Sequence, residues 1–179
     1  MFSNILRNLN HFKNSTTILN IVLEDYSIMS RKLIFIKNVT IYTMSIIYIS
    51  IGIKHFTHPD FFIAIVPKFI TFKKEAVLIS GIFEIALGLL LLFKTTRKFA
   101  AYGIILLLVA VFPANIYLFI SEIAREKISI SKSQALIRMP FQIPLIMIAY
   151  WHTKKNQSIQ FSITCIVLFL ITIIYFLTI

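Results

Sequence analysis

The stretch Ala76-Val77-Leu78-Ile79-Ser80-Gly81-Ile82-Phe83-Glu84-Ile85-Ala86-Leu87-Gly88-Leu89-Leu90-Leu91-Leu92-Phe93 decides the class of fold, because it holds eighteen residues and a single charge, Glu84. At about 1.5 Å of rise per helical residue such a run approaches the roughly 30 Å hydrocarbon thickness of a bilayer. Four more runs of this kind accompany it: 33–53 with one charge, Lys37; 99–120 with none; 135–151 with one, Arg138; and 159–179 with none. The segments between them are too short to fold as separate domains. The 179 residues are 58% hydrophobic and 14% charged, with a mean hydropathy of +0.86, which excludes an ordinary soluble globule. We therefore expect an all-α integral membrane protein, a four-helix up-and-down bundle over 33–153 with a fifth transmembrane helix at 159–179. Residues 1–32 are expected as a cytoplasmic or interfacial N-terminal extension.

The net charge of +11 does not mark a nucleic-acid partner, because the 18 basic residues punctuate the apolar runs. If all five runs cross, ten bases fall on the N-terminal side and seven on the other, with Arg138 inside a run. The positive-inside rule then places the N-terminus in the cytoplasm and Ile179 outside. The short segment Lys94-Thr95-Thr96-Arg97-Lys98 weighs most in that assignment. The single cysteine, Cys165, lies in the last run, so there is no disulfide framework, no dithiol redox pair and no haem-attachment motif. Cys165 reads as a small apolar residue of a helix.

Phe2, Ile5, Leu6, Leu9 and Phe12 recur at helical spacing with Arg7 and Lys13 among them, which fits an amphipathic surface helix or a disordered segment. Asn14-Ser15-Thr16-Thr17 is expected to break that pattern, and Glu24-Asp25 interrupts the next apolar run. Met29-Ser30-Arg31-Lys32 before an apolar run also reads as a short cytoplasmic start. The triplets opened by Asn14, Asn38 and Asn156 are chance matches in an Asn/Ser/Thr-rich chain. Downstream, Pro59 is placed to open a short helix along the interface. His55, His58 and Asp60 are too few and too awkwardly spaced for a metal site, and no metal is expected.

Within the runs, Ser80, Gly81 and Gly88 share a helix face with Glu84, so the carboxylate is expected to face another helix, since small residues let helices approach. Pro113 should bend the third run, and Pro140 and Pro144 should kink the fourth. In an up-and-down bundle Glu84 lies about 12 Å deep, Asn115 about 8 Å, Arg138 about 5 Å and Gln142 about 10 Å from the same side, with His55 and His58 at its rim. Ionisable groups in membranes are generally paired. Glu84 and Arg138 are therefore expected to form a buried ion pair, with His55, Asn115 and Gln142 as candidate ligand-binding residues around it. The network either exchanges protons or hydrogen-bonds a quinone-like carbonyl, or it only fixes helix register.

Four blocks occur in order: Gly52-x-x-His55-Phe56-x-x-Pro59-x-Phe61-Phe62; Ser80-Gly81-x-Phe83-Glu84-Ile85-x-Leu87-Gly88; Val111-Phe112-Pro113-Ala114-Asn115-Ile116-Tyr117; and Ile137-Arg138-Met139-Pro140-x-Gln142. Over residues 39–153 they resemble the DoxX-like family of small bacterial membrane proteins. The resemblance implies a four-helix membrane bundle, with some relatives associated with thiosulfate-to-quinone oxidoreduction or thiol-oxidation complexes. It places His55, Glu84, Asn115, Arg138 and Gln142 at motif positions. The tail 159–179 lies outside the pattern and is expected to pack on the bundle's exterior.

With no nucleotide-binding loop, nucleophile elbow or haem-ligand pattern, the chain is expected to be an accessory subunit in the bacterial cytoplasmic membrane rather than a complete enzyme. Its expected partners are the lipid bilayer and a redox protein or quinone, with no covalently bound cofactor. The alternative is a non-enzymatic small transporter or assembly and envelope-maintenance factor in which the polar network is structural.

Overall fold

A computed structural model describes residues 2–155 and 157–178. Met1, Asn156 and Ile179 lie outside the described residues, as do the side chains of Phe2, Ile5, Leu6, Leu9 and Phe12. The described elements are all helical: α1 (Phe2–Thr57), α2 (Pro59–Ala64), α3 (Lys73–Leu92), α4 (Arg97–Ile120), α5 (Glu122–Lys127), α6 (Lys132–Arg138), α7 (Gln142–Thr153) and α8 (Ile159–Thr178). Four helices are long and apolar enough to cross a membrane: α1 over Leu19–Thr57, α3, α4 and α8 over Ile159–Phe176. The chain divides into two compact units, Met1–Ile36 and Lys37–Ile179. In the first, the Ser27 hydroxyl donates to the Glu24 carbonyl at 2.8 Å.

The helix does not break at Asn14-Ser15-Thr16-Thr17 as the sequence suggested. These residues cost only tenths of a kcal/mol each relative to better helix formers, and neither glycine nor proline occurs before Gly52. Helix α1 stops at Thr57 because Pro59 pushes His58 out of the helical region, to φ −136° and ψ 58°, and Pro59 then starts α2 as its first residue.

The fourth apolar run is broken, where a single kinked span was expected. Pro140 has no N–H for the Leu136 carbonyl, and Pro144 has none for the Pro140 carbonyl. The amides one residue earlier take over both: Met139 N–H reaches Leu136 O at 3.3 Å, and Ile143 N–H reaches Pro140 O at 3.1 Å. This switch to tighter turns ends α6 at Arg138 and restarts the chain as α7 at Gln142. By contrast α4 runs through Pro113, which leaves the Val109 carbonyl without its helical donor.

Within Lys37–Ile179, the core joins α1 (Ile41, Met44, Tyr48), α3 (Leu87, Leu91), α4 (Ala100, Ala101, Ile104, Leu108) and α7 (Ile148, Ala149). Glycines set the spacing of α1 on α3. A Cβ on Gly52 would stand 2.8 Å from the Gly81 carbonyl oxygen, and one on Gly81 would stand 3.0 Å from the Gly52 carbonyl oxygen. One α-helical heptad further along α3, Gly88 accepts a 2.6 Å hydrogen bond at its carbonyl from the Ser45 hydroxyl. Helix α4 follows against α3 with Gly103 under Leu87, α7 lies on α4, and α8 packs on α7. A second cluster, Leu118, Ala124 and Ala135, joins the end of α4 to α5 and α6. The Ser131–Gln134 capping box starts α6 there.

Candidate functional site: a buried histidine–glutamate pair

Ser45, Tyr48, Gly52 and His55 recur along α1 at helical spacing, and all four are buried. On α3 the facing stripe is Val77, Gly81, Glu84 and Gly88, also buried. Because Gly81 has no side chain, the His55 Cβ lies 2.7 Å from the point a Gly81 Cβ would occupy. The imidazole is thereby brought against α3 itself. Its Nδ1 contacts the Val77 carbonyl oxygen at 2.8 Å, and its Nε2 stands 3.3 Å from Glu84 Oε2. Phe62 of α2 stacks on the other side of the ring, with centroids 3.7 Å apart, and Phe61 meets Phe62 edge-on.

The chemistry follows from counting protons. A carbonyl oxygen only accepts, so Nδ1 carries a hydrogen and donates to Val77. Nε2 then faces Glu84 across a gap that needs one proton, held either as imidazolium with carboxylate or as imidazole with carboxylic acid. Glu84 Oε2 is fully buried and has no other donor. The second oxygen, Oε1, receives only a 3.5 Å contact from the Ser80 hydroxyl. Two titratable groups thus share a proton where water is scarce, with 6% of His55 and 8% of Glu84 exposed.

The expected Glu84–Arg138 ion pair does not form. Among the described residues the counter-group of Glu84 within 4.0 Å is His55, and Arg138 belongs to α6, beside Tyr175 of α8. The Arg138 Nε is buried without a hydrogen-bond partner. Tyr175 stacks on Phe141 at 4.0 Å and its hydroxyl reaches the Gln134 carbonyl at 3.4 Å. Gln142 is buried, and its Nε2 donates at 3.1 Å to the Leu108 carbonyl, one residue before the acceptor orphaned by Pro113. Asn115 is half-buried and makes no side-chain hydrogen bond among the described residues. The expected single network is therefore three separate contacts, because α6 and α7 turn apart at Pro140 instead of presenting Arg138 and Gln142 on one continuous face.

His55, expected at the rim, is buried, whereas His58 is exposed and contacts its neighbour Thr57. No group of three or more His, Cys, Asp or Glu side chains among the described residues is placed to hold a metal ion. At the opposite end, the Thr40 hydroxyl donates to the Lys37 carbonyl and its oxygen meets His152 Nε2 at 3.0 Å. The Lys37 ammonium donates to the Lys154 carbonyl at 2.5 Å and lies over the Trp151 ring. Neither this cluster nor the Tyr175 contacts has a motif in the sequence, whereas Phe62 closes the block that also holds His55. The usable signal was the heptad spacing of Gly81 and Gly88 on α3, matched by Ser45 and Gly52 on α1.

A family model described as "Domain of unknown function (DUF8561)" matches residues 44–153, which include His55, Glu84, Asn115, Arg138 and Gln142. No curated protein and no solved structure matches the chain.

Proposed function

The chain belongs to the DUF8561 family, and we propose that it is a multi-pass protein of the bacterial cytoplasmic membrane, an accessory subunit of a quinone- or thiol-linked redox system. In this reading 37–57, α3, α4, α6 with α7, and α8 form the up-and-down arrangement, with the N-terminus cytoplasmic. The chain supplies a proton-exchanging site to a partner that holds the redox cofactor. The redox association rests on the resemblance of the four sequence blocks to the DoxX-like family.

The observation that carries the reading is the 3.3 Å approach of His55 Nε2 to Glu84 Oε2. Reduction of a quinone takes up two protons with two electrons, and each carbonyl oxygen becomes a hydroxyl. A buried imidazole–carboxyl pair can pass one proton to such an oxygen and be reprotonated from the interface, which His55 borders through α2. The Val77 carbonyl fixes which ring nitrogen faces the carboxyl, as a proton-transfer group requires.

A structural reading rests on a different observation, the close α1–α3 approach at Gly52 and Gly81, which the pair could lock. Purified full-length protein in nanodiscs, titrated with a short-chain naphthoquinone, separates the two. Binding that is lost in Glu84→Gln and in His55→Gln, with both variants accumulating normally, is the expected result. Absence of quinone binding by the wild type, or undiminished binding by both variants, would overturn the proposal.

A further inference from the structure

Helices α3 and α4 leave between them an apolar groove of about 570 Å³, within the range of small-molecule sites. Leu90 and Phe99 line the end next to the α3–α4 connection, and Phe83 and Ala110 line the far end. From Phe99 to Ala110 the groove follows α4 for about 16 Å, along the helix and not across it. Its walls are open to the exterior: Phe99 is 69% exposed and Leu106 71%. Gly103 forms part of the floor, where a side chain would run into Leu87.

The connection that follows the Leu90–Phe99 end of this groove is basic. Lys94, Arg97 and Lys98 occur in the connection and at the start of α4, and no acidic residue lies between Glu84 and Glu122. Arg97 is committed to the end of α3, its Nε and Nη2 donating to the Leu91 and Leu92 carbonyls at 3.2 and 3.3 Å. Lys94 and Lys98 are exposed, and neither has an acidic partner within 4.0 Å among the described residues. At the opposite end, by contrast, Asp60, Glu75, Glu122 and Glu126 are interspersed with the bases.

We propose that the α3–α4 groove binds one anionic phospholipid, with an acyl chain along Leu90, Phe99 and Phe83 and the headgroup phosphate between Lys94 and Lys98. An apolar groove that runs along α4, next to a connection carrying two exposed lysines with no acidic partner among the described residues, has the layout of such a lipid, a chain below and a charge above. Free inorganic phosphate could satisfy the lysines but not the channel. A zwitterionic lipid could fill the channel but would bring a cation to the lysines. The site rests on the membrane placement proposed above and is independent of the His55–Glu84 chemistry.

The test uses full-length protein extracted into detergent and native mass spectrometry. Recovery in the membrane fraction before extraction checks the membrane placement separately. Phosphatidylglycerol and phosphatidylcholine of identical chains are compared, with inorganic phosphate as a third addition. The wild type is expected to retain one phosphatidylglycerol in preference to phosphatidylcholine, and to gain nothing from phosphate. The double variant Lys94→Gln/Lys98→Gln should weaken phosphatidylglycerol roughly 30-fold, the effect of two interfacial lysines, while leaving phosphatidylcholine unchanged. Ala110→Trp, which fills the far end of the groove, should weaken both lipids. Equal retention of the two lipids by the wild type would overturn the proposal, as would a preference that survives in the double variant or phosphate binding without lipid. Because Lys94 and Lys98 are exposed, the double variant remains informative even if Ala110→Trp does not fold.

Discussion

Gly81 shows how one missing side chain positions a titratable pair. The Gly81 Cα faces His55 so closely that any Cβ would need backbone movement, and Gly52 is in the reciprocal position against the Gly81 carbonyl. Alanine at either site should therefore cost about 1–3 kcal/mol by overpacking, and Gly81→Ala should also separate His55 from Glu84. Gly103→Ala should cost less, because it meets the end of the flexible Leu87 side chain rather than backbone. Unfolding in denaturant-titrated micelles measures the order, and equal costs at Gly81 and Gly103 would contradict it. At this scale the sequence reveals that Glu84 faces a helix, since Ser80, Gly81 and Gly88 share its side of α3. It does not reveal His55 as the partner. Helix α1 is apolar nearly all round over 39–53, so its rotation about its own axis is set by packing against α3 and carries no mark in the hydrophobic pattern.

At the scale of elements, a helix boundary was legible where one proline fixes it, as where Pro59 starts α2 just after Thr57. What the two prolines do together was harder to read, because each alone kinks a helix and only the pair, four residues apart, removes successive donors and lets tight turns take over. That break withdraws Arg138 from Glu84. Helix α8 was expected to pack on the bundle's exterior, and it packs on α7. Ser162, Cys165 and Thr172 are buried on one face, and Cys165 Sγ approaches the Met147 carbonyl at 3.9 Å. Such a thiol should resist a membrane-permeant maleimide in the folded protein and react fully after denaturation in SDS. Rapid native labelling would mean that α8 is not docked on α7.

Across the whole of Lys37–Ile179 two chemically different ends emerge. One carries Lys37, Lys94, Arg97, Lys98, Lys154 and Lys155 with no acidic residue, and the Leu90–Phe99 end of the groove lies next to it. At the other, α2 covers His55 through Phe62, and the buried pair lies one helix layer beneath. Long apolar helices with exposed Leu, Ile and Phe are what a bilayer solvates and water does not. The all-helical class, with helices long and apolar enough to cross a membrane, was readable from composition because the apolar character involves whole segments. The pair was not, because it exists only where α1, α2 and α3 meet. A proton shared between His55 and Glu84 is best observed by infrared difference spectroscopy of the reconstituted protein across a pH step. A carboxyl C=O band that disappears in Glu84→Gln and shifts in His55→Gln is the predicted result. A spectrum with no band sensitive to Glu84→Gln, or a Glu84 band indifferent to His55→Gln, would contradict it.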